Sequence, residues 1–222
     1  MKTHIRMVAI GMIAMGGVLA WACSDSTSNS ATGDADSGAS ETSSGTSGTS
    51  SGTSSGTSGT SGNPPAQLKA KAEIRPTSDA STVQGTAEFV ENGSVTIVTI
   101  NIASSGGTPG EHGLHIHEKG NCDPVDGGPG LGAGGHWNPA DAGHGYPSGD
   151  THHAGDLGNI VIDDAGAGSS KLTFPATKMY VHDGPLSVVN HAVVYHAQKD
   201  DGVSQPVGNA GGRPGCGVIE KQ

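Results

Sequence analysis

Basic residues are scarce in this chain. Its 222 residues include 11 Lys and Arg against 21 Asp and Glu, which gives a formal net charge of −10 at pH 7 with neutral histidines. Proteins that bind nucleic acid neutralise the phosphates with Lys and Arg, and most of their affinity depends on that contact. The acidic balance therefore argues against nucleic acid as a partner.

Apolar runs long enough to cross a membrane are also missing. Two basic residues precede an apolar stretch at residues 7–22, which is shorter than the roughly 20 residues that span a bilayer. This pattern predicts a cleaved export signal over residues 1–22. Residues 19–23 resemble a bacterial lipoprotein processing box, in which Cys23 becomes the lipidated first residue. Ala20-Trp21-Ala22 also fits an ordinary secretory site that is cleaved at the same bond, so both kinds of processing stay open.

Residues 24–62 contain almost no apolar side chain. A Gly-Thr-Ser rhythm fills them, and ordering such a segment would cost conformational entropy that no burial offsets. We therefore expect residues 23–65 to form a disordered tether behind the lipidated cysteine. Residues 66–222 remain as one domain of roughly 155 residues. The expected location is the cell envelope, in the periplasm, with a lipid anchor in a membrane.

Cysteines number only three in the whole chain. With Cys23 at the processing site, Cys122 and Cys216 remain as an even pair, which in an exported protein predicts one disulfide. In the chain-entropy model, closing a loop of about 95 residues stabilises the fold by about 4–5 kcal/mol. Two buried free thiols are the alternative.

No segment has a convincing helical period. Short runs rich in Val, Ile and Thr are separated by Gly, Pro, Asn and Asp, which predicts an all-β domain of eight strands, folded as an antiparallel sandwich or flattened barrel. The runs are 71–75, 83–90, 94–102, 112–117, 159–163, 171–174, 191–196 and 217–220. Two Gly-rich loops, 119–158 and 197–215, do not fit this rhythm. Loops of that length in a compact domain are usually functional.

Histidines are abundant by contrast, and most lie at strand ends or in these two loops. Imidazole nitrogen and carboxylate oxygen are ligands that suit zinc and copper. His115 and His117 are two residues apart in a predicted strand, so both rings project from one face and can chelate one ion. Two adjacent sites that share one ligand would use all seven candidates. These are His115, His117, His136, His144, His153, Asp156 and His196.

Four segments resemble the copper/zinc superoxide dismutase family. They are His-Gly-Leu-His-Ile-His at 112–117 followed by Gly120 and Cys122, Gly-His-Trp-Asn-Pro at 135–139, His-Ala-Gly-Asp at 153–156, and the glycine-rich stretch 208–219 that contains Arg213 and Cys216. The similarity runs from about residue 71 to the C-terminus. It implies a Greek-key β-barrel, copper and zinc as cofactors, and disproportionation of superoxide to oxygen and hydrogen peroxide. It leaves open whether the chain forms a homodimer.

The resemblance assigns the metal ligands to two sets that share one histidine. The copper set is His115, His117, His136 and His196. The zinc set is His136, His144, His153 and Asp156. The shared His136 would be an imidazolate bridge that also carries a proton to the nascent peroxide. Asp200 matches an outer carboxylate that links His115 to His144.

Arg213 matches the guanidinium that holds the anion at the mouth of the family's active site. A disulfide between Cys122 and Cys216 would tie the metal loop to the last strand and hold this arginine in place. The chain departs from the family pattern directly after it, because Pro214-Gly215 stand where an apolar residue and Ala are usual.

The net negative charge of the domain is unfavourable for its expected substrate, the superoxide anion. Residues 66–222 contain nine Lys and Arg against seventeen Asp and Glu, so the domain as a whole repels an anion. We expect a local positive funnel from Arg213 and Lys199, a type of steering for which this enzyme family is itself a standard example. The other histidines, His112, His152, His182 and His191, are expected to be structural or surface residues.

Two functions of other classes are compatible with parts of the pattern. A copper-carrying or copper-buffering module of the same fold would bind metal without turnover, although it would need neither the zinc set nor Arg213. A structural adhesion sandwich would use metals only to brace its loops. Metal content and superoxide turnover separate the three.

Overall fold

The computed structural model describes residues 67–222. The predicted export signal, Cys23 and the Ser/Thr/Gly tether lie outside the described residues. Within the described range, no helix has the length and apolar character needed to cross a membrane.

Eight strands form, one for each predicted run. They are β1 (Leu68–Pro76), β2 (Gly85–Asn92), β3 (Val95–Ile102), β4 (Gly110–His117), β5 (Asp156–Ile162), β6 (Gly168–Pro175), β7 (Ala192–Tyr195) and β8 (Gly215–Lys221). The one helical element described is a 3₁₀ turn, Leu131–Ala133, inside the first long loop. The all-β prediction is therefore confirmed. Strand bounds differ by a few residues, and His191 and His196 flank β7 instead of belonging to it.

The strands form a single antiparallel sheet that curls into a nearly closed barrel. Their order is β5-β4-β7-β8-β1-β2-β3-β6. The pairs β3–β6, β4–β7 and β1–β8 join strands that are not consecutive in the chain, which gives the Greek-key connections. The two edge strands, β5 and β6, lie close together. A Cβ added to Gly168 in β6 would lie only 2.5 Å from the carbonyl oxygen of Val161 in β5.

Alternation along the strands fills the barrel. On β3, Val98, Ile100 and Ile102 point inward and are buried, while the residues between them are half-buried or exposed. Phe89 on β2 has no solvent exposure. Burying an aliphatic or aromatic side chain of this kind contributes about 1.5–3 kcal/mol. The interior of the barrel is therefore a packed hydrophobic core.

The outer face of β4 and β7 differs from the rest of the sheet because the long loops cover it. Leu114 and Ile116 of β4 point into the main core. The alternate residues, His115 and His117, point to the other side, yet both are fully buried. A second apolar cluster lies on this outer side, formed by Ala133, Ala192, Val194 and Cys216 with Cys122 packed against it.

A disulfide fixes the first long loop to the last strand. Cys122 and Cys216 are bonded, with their Cα atoms 5.7 Å apart and a sequence separation of 94. This confirms the predicted pair. Since Cys216 lies in β8 and Cys122 follows β4, the bond closes the loop over the outer face of the barrel.

Candidate metal centre

Four histidines meet on the outer face of β4. His115 and His117 come from the strand itself, His136 is held against His117 by an isolated β-bridge, and His196 directly follows β7. All four are buried. One ring nitrogen from each lies within 4.8 Å of the others. These are the four residues assigned to copper from the sequence.

A second group of four lies next to the first and is built by the long loop. His136, His144 and His153 come from the loop, and Asp156 is the first residue of β5. Their ligand atoms also lie within 4.8 Å of one another, and all four residues are buried. His136 belongs to both groups, as the zinc assignment requires.

Hydrogen bonds to the outer nitrogens fix the ring orientation in the first group. His115 donates Nε2 to Asp200 Oδ2 at 2.8 Å, His117 donates Nδ1 to the Gly134 carbonyl at 3.0 Å, and His196 Nδ1 lies 3.3 Å from the Gly211 carbonyl. The inner nitrogens are left as acceptors without protons. The Nε2 atoms of His117 and His196 are only 3.3 Å apart. Two acceptors that close suit a shared cation.

His136 presents one nitrogen to each group. Its Nδ1 lies 2.8 Å from Asp156 Oδ1 and 3.4 Å from His153 Nδ1. Its Nε2 is buried without a hydrogen-bond partner, as is Nδ1 of His115. Nδ1 of His144 also has no hydrogen-bond partner, although Asp156 Oδ2 lies 3.1 Å away.

Unpaired buried nitrogens of this kind cost about 1–3 kcal/mol each. All three of these atoms face one of the two ligand groups, and a metal ion in each group would give every one of them a partner. The donor set, imidazole nitrogen with one carboxylate, is also the set that suits copper and zinc. The residues present therefore fit two metal ions that share His136.

Asp200 links the two groups from behind. Its Oδ2 accepts from His115 Nε2 at 2.8 Å and its Oδ1 from His144 Nε2 at 3.0 Å. Burial raises the pKa of this carboxyl, but the hydrogen bonds from both histidines outweigh it and hold the pKa well below its usual value. Asp200 is thus an anion that orients one ring of each group, as expected of an outer-shell carboxylate.

Asp200 is itself held by two residues that the sequence did not point to. Asn159 accepts from the Asp200 backbone N–H at 2.8 Å and donates to its carbonyl at 2.9 Å, and the Tyr146 hydroxyl donates to the same carbonyl at 2.7 Å. These contacts join β5 and the first long loop to the second long loop.

Gln205 is a third residue that sequence reasoning missed. Its Oε1 accepts from the His144 backbone N–H at 2.8 Å and its Nε2 donates to the His144 carbonyl at 2.9 Å. An amide side chain can satisfy both backbone groups of one residue in this way. Gln205 therefore fixes the backbone of a zinc-group ligand from the other loop. Its place in a short Ser-Gln-Pro segment gave no signal, because the partner is 61 positions away.

The charge of Arg213 acts on two histidines of the first group, His117 and His196. Its guanidinium is half-buried and donates Nη1 to the Gly130 carbonyl at 3.1 Å. Burial, the neighbouring rings of His196 and His136, and the charge of Arg213 together lower the pKa of His117 well below its usual value. The arginine thus lies within electrostatic range of the first group despite Pro214-Gly215.

Lys199, the other residue expected to supply positive charge, lies at the surface. It donates Nζ to Glu111 Oε2 at 2.6 Å, and about half of each side chain is exposed. Glu111 offsets its charge. Of the two cations predicted for the funnel, Arg213 therefore provides the local field.

The remaining histidines have other partners. His112 stacks on Tyr195 with ring centroids 4.8 Å apart and hydrogen-bonds the His196 carbonyl through Nδ1. His152 bonds the His153 carbonyl, and His182 lies at the surface against Glu91. In residues 67–222, no other group of three or more His, Cys, Asp or Glu could hold an ion.

Comparison with known proteins decides the family. The model for "Copper/zinc superoxide dismutase (SODC)" matches residues 83–219. The chain belongs to the copper/zinc superoxide dismutase family. It is 39% identical over 146 residues to a Cu-Zn superoxide dismutase of Deinococcus radiodurans, an alignment that covers 62% of this chain and 78% of that protein. It is also similar to the crystal structure of the clock protein EA4, with 34% identity and a TM-score of 0.58 over 68% of this chain and 93% of the other.

The buried histidines predict how this dismutase-family domain responds to acid when its metals are removed. Burial lowers the pKa of His136 to about 4 and those of His117 and His196 well below their usual value. In the unfolded chain these rings take up protons below about pH 6.5. Their stabilisation is therefore complete above that pH and is lost as the pH falls towards their lowered pKa values.

His144 behaves in the opposite way. Burial lowers its pKa, but the neighbouring carboxylates of Asp156 and Asp200 outweigh it and raise the pKa to about 9. Its stabilisation is complete below about pH 6.5 and is lost as the pH rises through about 9. His144 therefore does not offset the loss of stability that the other three histidines cause at acid pH.

We therefore expect the free energy of unfolding of the metal-free domain to fall between pH 6.5 and 5, by up to about 1.4 kcal/mol per pH unit for each of the three histidines. Urea unfolding at several pH values measures it. His117→Gln should reduce the slope, whereas the control His182→Gln, at an exposed position, should not. A flat or rising stability over this range would contradict the buried, neutral state of these rings.

Proposed function

We propose that residues 66–222 form a superoxide dismutase that converts two superoxide anions to oxygen and hydrogen peroxide. Copper supplies the one-electron chemistry, whereas zinc is redox-inert and shapes the site. The observation that carries the proposal is the placement of His136, whose two ring nitrogens face two different ligand groups. Membership of the copper/zinc superoxide dismutase family supports the same activity.

The ligand roles follow from the two groups. His115, His117 and His196 would hold copper, and His144, His153 and Asp156 would hold zinc, with His136 between them. Asp156 accepts backbone N–H groups of Gly145 at 3.1 Å and His153 at 2.8 Å, so the loop itself orients its carboxylate. Burial raises the pKa of Asp156, but its hydrogen bonds hold it far below the usual value. An ionised carboxylate is the form that binds a cation.

His136 would also carry one of the two protons that hydrogen peroxide needs, and solvent would supply the other. Its Nε2 is buried, faces the copper group and has no hydrogen-bond partner. Its other nitrogen is held by Asp156, so the ring keeps its orientation while Nε2 gains or loses a proton. We assign delivery of a proton from His136 Nε2 to the reduced product.

Arg213 would hold the substrate anion next to the copper group. Its guanidinium has five N–H donors, and the bond to Gly130 uses one of them. Because the copper-group rings are buried, a substrate must be small to reach them. Superoxide has the size and the charge for this position, and a local cation matters more here because the domain as a whole is acidic.

The first test measures metal content and turnover on the same sample. The full chain should bind one copper and one zinc, and disproportionate superoxide in proportion to its copper. Asp156→Ala should lose zinc before copper, since it removes a ligand of the zinc group alone. Stoichiometric metals without turnover would support the copper-buffering alternative. Tight zinc binding without stoichiometric copper would exclude the dismutase function.

A second prediction concerns substrate capture. Arg213→Ala should lower kcat/KM for superoxide about tenfold without removing either metal, because it deletes one charge-assisted hydrogen bond to the anion. Arg213→Glu should lower it further. Raising the ionic strength should narrow the difference between wild type and variants, since salt screens charges over about 10 Å at 0.1 M.

The matched control is Arg75→Ala, which removes the exposed arginine of β1. It should leave kcat/KM close to the wild-type value. Equal losses in both variants would show that net charge, and not a local guanidinium, governs capture.

We further propose that the chain is exported and anchored to a membrane of the cell envelope by a lipid on Cys23. The support is the sequence of residues 1–23 alone. As a flexible coil of about 40 residues, the tether would hold the domain roughly 35 Å from its anchor on average. That distance would let the enzyme act on superoxide near the membrane surface.

Cell fractionation tests the anchor. The wild-type protein should partition into detergent with the membrane fraction, and Cys23→Ser should release it or block its processing. Cys122→Ser in the domain is not a suitable control, because it breaks the disulfide, so Ser24→Ala serves instead. A wholly soluble wild-type protein with an unmodified Cys23 would support the ordinary secretory site.

A further inference from the structure

We propose that Thr77 and Ser81, in the connection between β1 and β2, are positioning residues that hold Arg213 in place for anion capture. This inference rests on the role proposed above for Arg213. Both residues lie near the start of the domain sequence, whereas Arg213 lies near its end. Thr77 bonds the backbone of Arg213, and Ser81 bonds the backbone of Pro214, the next residue.

Three hydrogen bonds join this connection to the backbone that carries Arg213. Thr77 donates its hydroxyl to the Arg213 carbonyl at 2.6 Å and its backbone N–H to the Pro214 carbonyl at 3.2 Å. Ser81 donates its hydroxyl to the same Pro214 carbonyl at 2.7 Å. Two consecutive carbonyls, on Arg213 and on the residue that follows it, are therefore held by the β1–β2 connection.

Two prolines explain why side-chain hydroxyls are needed here. The ladder between β1 and β8 ends at the pair Pro76 and Gly215. Pro214 directly precedes Gly215 in the chain and lies just beyond this end of the ladder. Proline has no backbone N–H, so neither Pro76 nor Pro214 can donate a ladder hydrogen bond. Beyond this end of the ladder, the backbone N–H of Thr77 and the hydroxyls of Thr77 and Ser81 supply the donors that join the two segments.

Gly215, the residue after Pro214, allows the backbone that carries Arg213 to lie close to the β1–β2 connection. A Cβ added to Gly215 would lie 2.6 Å from Val83 Cγ1 and 3.1 Å from Ile74 Cγ2. Only glycine lets the chain pass this close to β1 and to the β1–β2 connection. The Pro214-Gly215 pair, which departs from the family pattern, thus brings the Arg213 backbone within reach of the two hydroxyls.

Thr77 also contacts the residue that anchors the guanidinium. Gly130, whose carbonyl accepts from Arg213 Nη1, adopts a φ of +67°, and a Cβ added there would lie 3.2 Å from Thr77 Cγ2 and 3.3 Å from Arg213 Cβ. Thr77 therefore packs beside both ends of the arginine, its carbonyl and its guanidinium anchor. Loss of the hydroxyl would release the Arg213 peptide and allow the side chain to shift away from the copper group.

A double-mutant cycle tests whether Thr77 acts through Arg213. Thr77→Val removes the hydroxyl and keeps the shape of the side chain, and should lower kcat/KM for superoxide about two- to tenfold, the range of one neutral hydrogen bond. Ser81→Ala should act in the same direction. Thr77→Ser should retain the wild-type rate, and the exposed neighbour Thr82→Val is the control. Metal content should be unchanged in all of them.

In an Arg213→Ala background, Thr77→Val should cause no further loss, because the group it positions is absent. An equal loss in both backgrounds would show that Thr77 supports the fold generally and would overturn the proposal. An unchanged kcat/KM in the single variant Thr77→Val, which keeps Arg213, would also overturn the proposal.

The Nε–H signal of Arg213 tests the positioning role independently of superoxide turnover. The full chain contains three arginines, Arg6, Arg75 and Arg213. The Nε–H signals in the NMR spectrum of an arginine-labelled sample can therefore be assigned by substitution. The Arg213 signal should shift in Thr77→Val and Ser81→Ala and return to its place in Thr77→Ser. If Arg213→Ala leaves turnover unchanged, the capture role fails, while these signals still decide the positioning role. An Arg213 signal that is identical in wild type and Thr77→Val would contradict it.

Discussion

The two metal groups depend on one buried imidazole. His136 can serve both only if its ring is held with one nitrogen towards each, and Asp156 and the bridge to His117 hold it there. The sheet supplies two ligands of the first group, His115 and His117, because alternate residues of β4 share a face. The second group exists only because the long loop folds back over that face. The fold, the disulfide and the outer carboxylate all act to keep that loop in position.

Contacts between the two long loops complete this arrangement. Asp200 reaches one histidine of each group, and Gln205 holds the backbone of His144. Both come from the loop after β7, which also carries Arg213. A change in this loop would therefore affect metal geometry and anion capture together, whereas the hydroxyls of Thr77 and Ser81 reach the loop only at the Arg213 and Pro214 carbonyls.

Much of this could be predicted from the sequence, for physical reasons. Alternating Val, Ile and Thr with glycine and proline between the runs predicted all eight strands. The residue types and spacing of the histidines identified the seven candidate ligands, and the family resemblance divided them into the two groups. The roles of Asn159, Gln205, Thr77 and Ser81 could not be predicted. Their partners lie 41 to 136 positions away, and local pattern does not report which loops meet. Lys199 was expected to attract the anion, but only the structure places Glu111 beside it.

The central claim is that His136 bridges the two metals. Two Cu(II) ions joined by one imidazolate couple antiferromagnetically, whereas separate ions do not. Replacing zinc by Cu(II) in the full chain and recording the electron paramagnetic resonance spectrum at low temperature tests this directly. A shared His136 predicts that the copper signal weakens as the second ion binds. A signal that instead grows to two independent copper ions per chain would contradict the bridge.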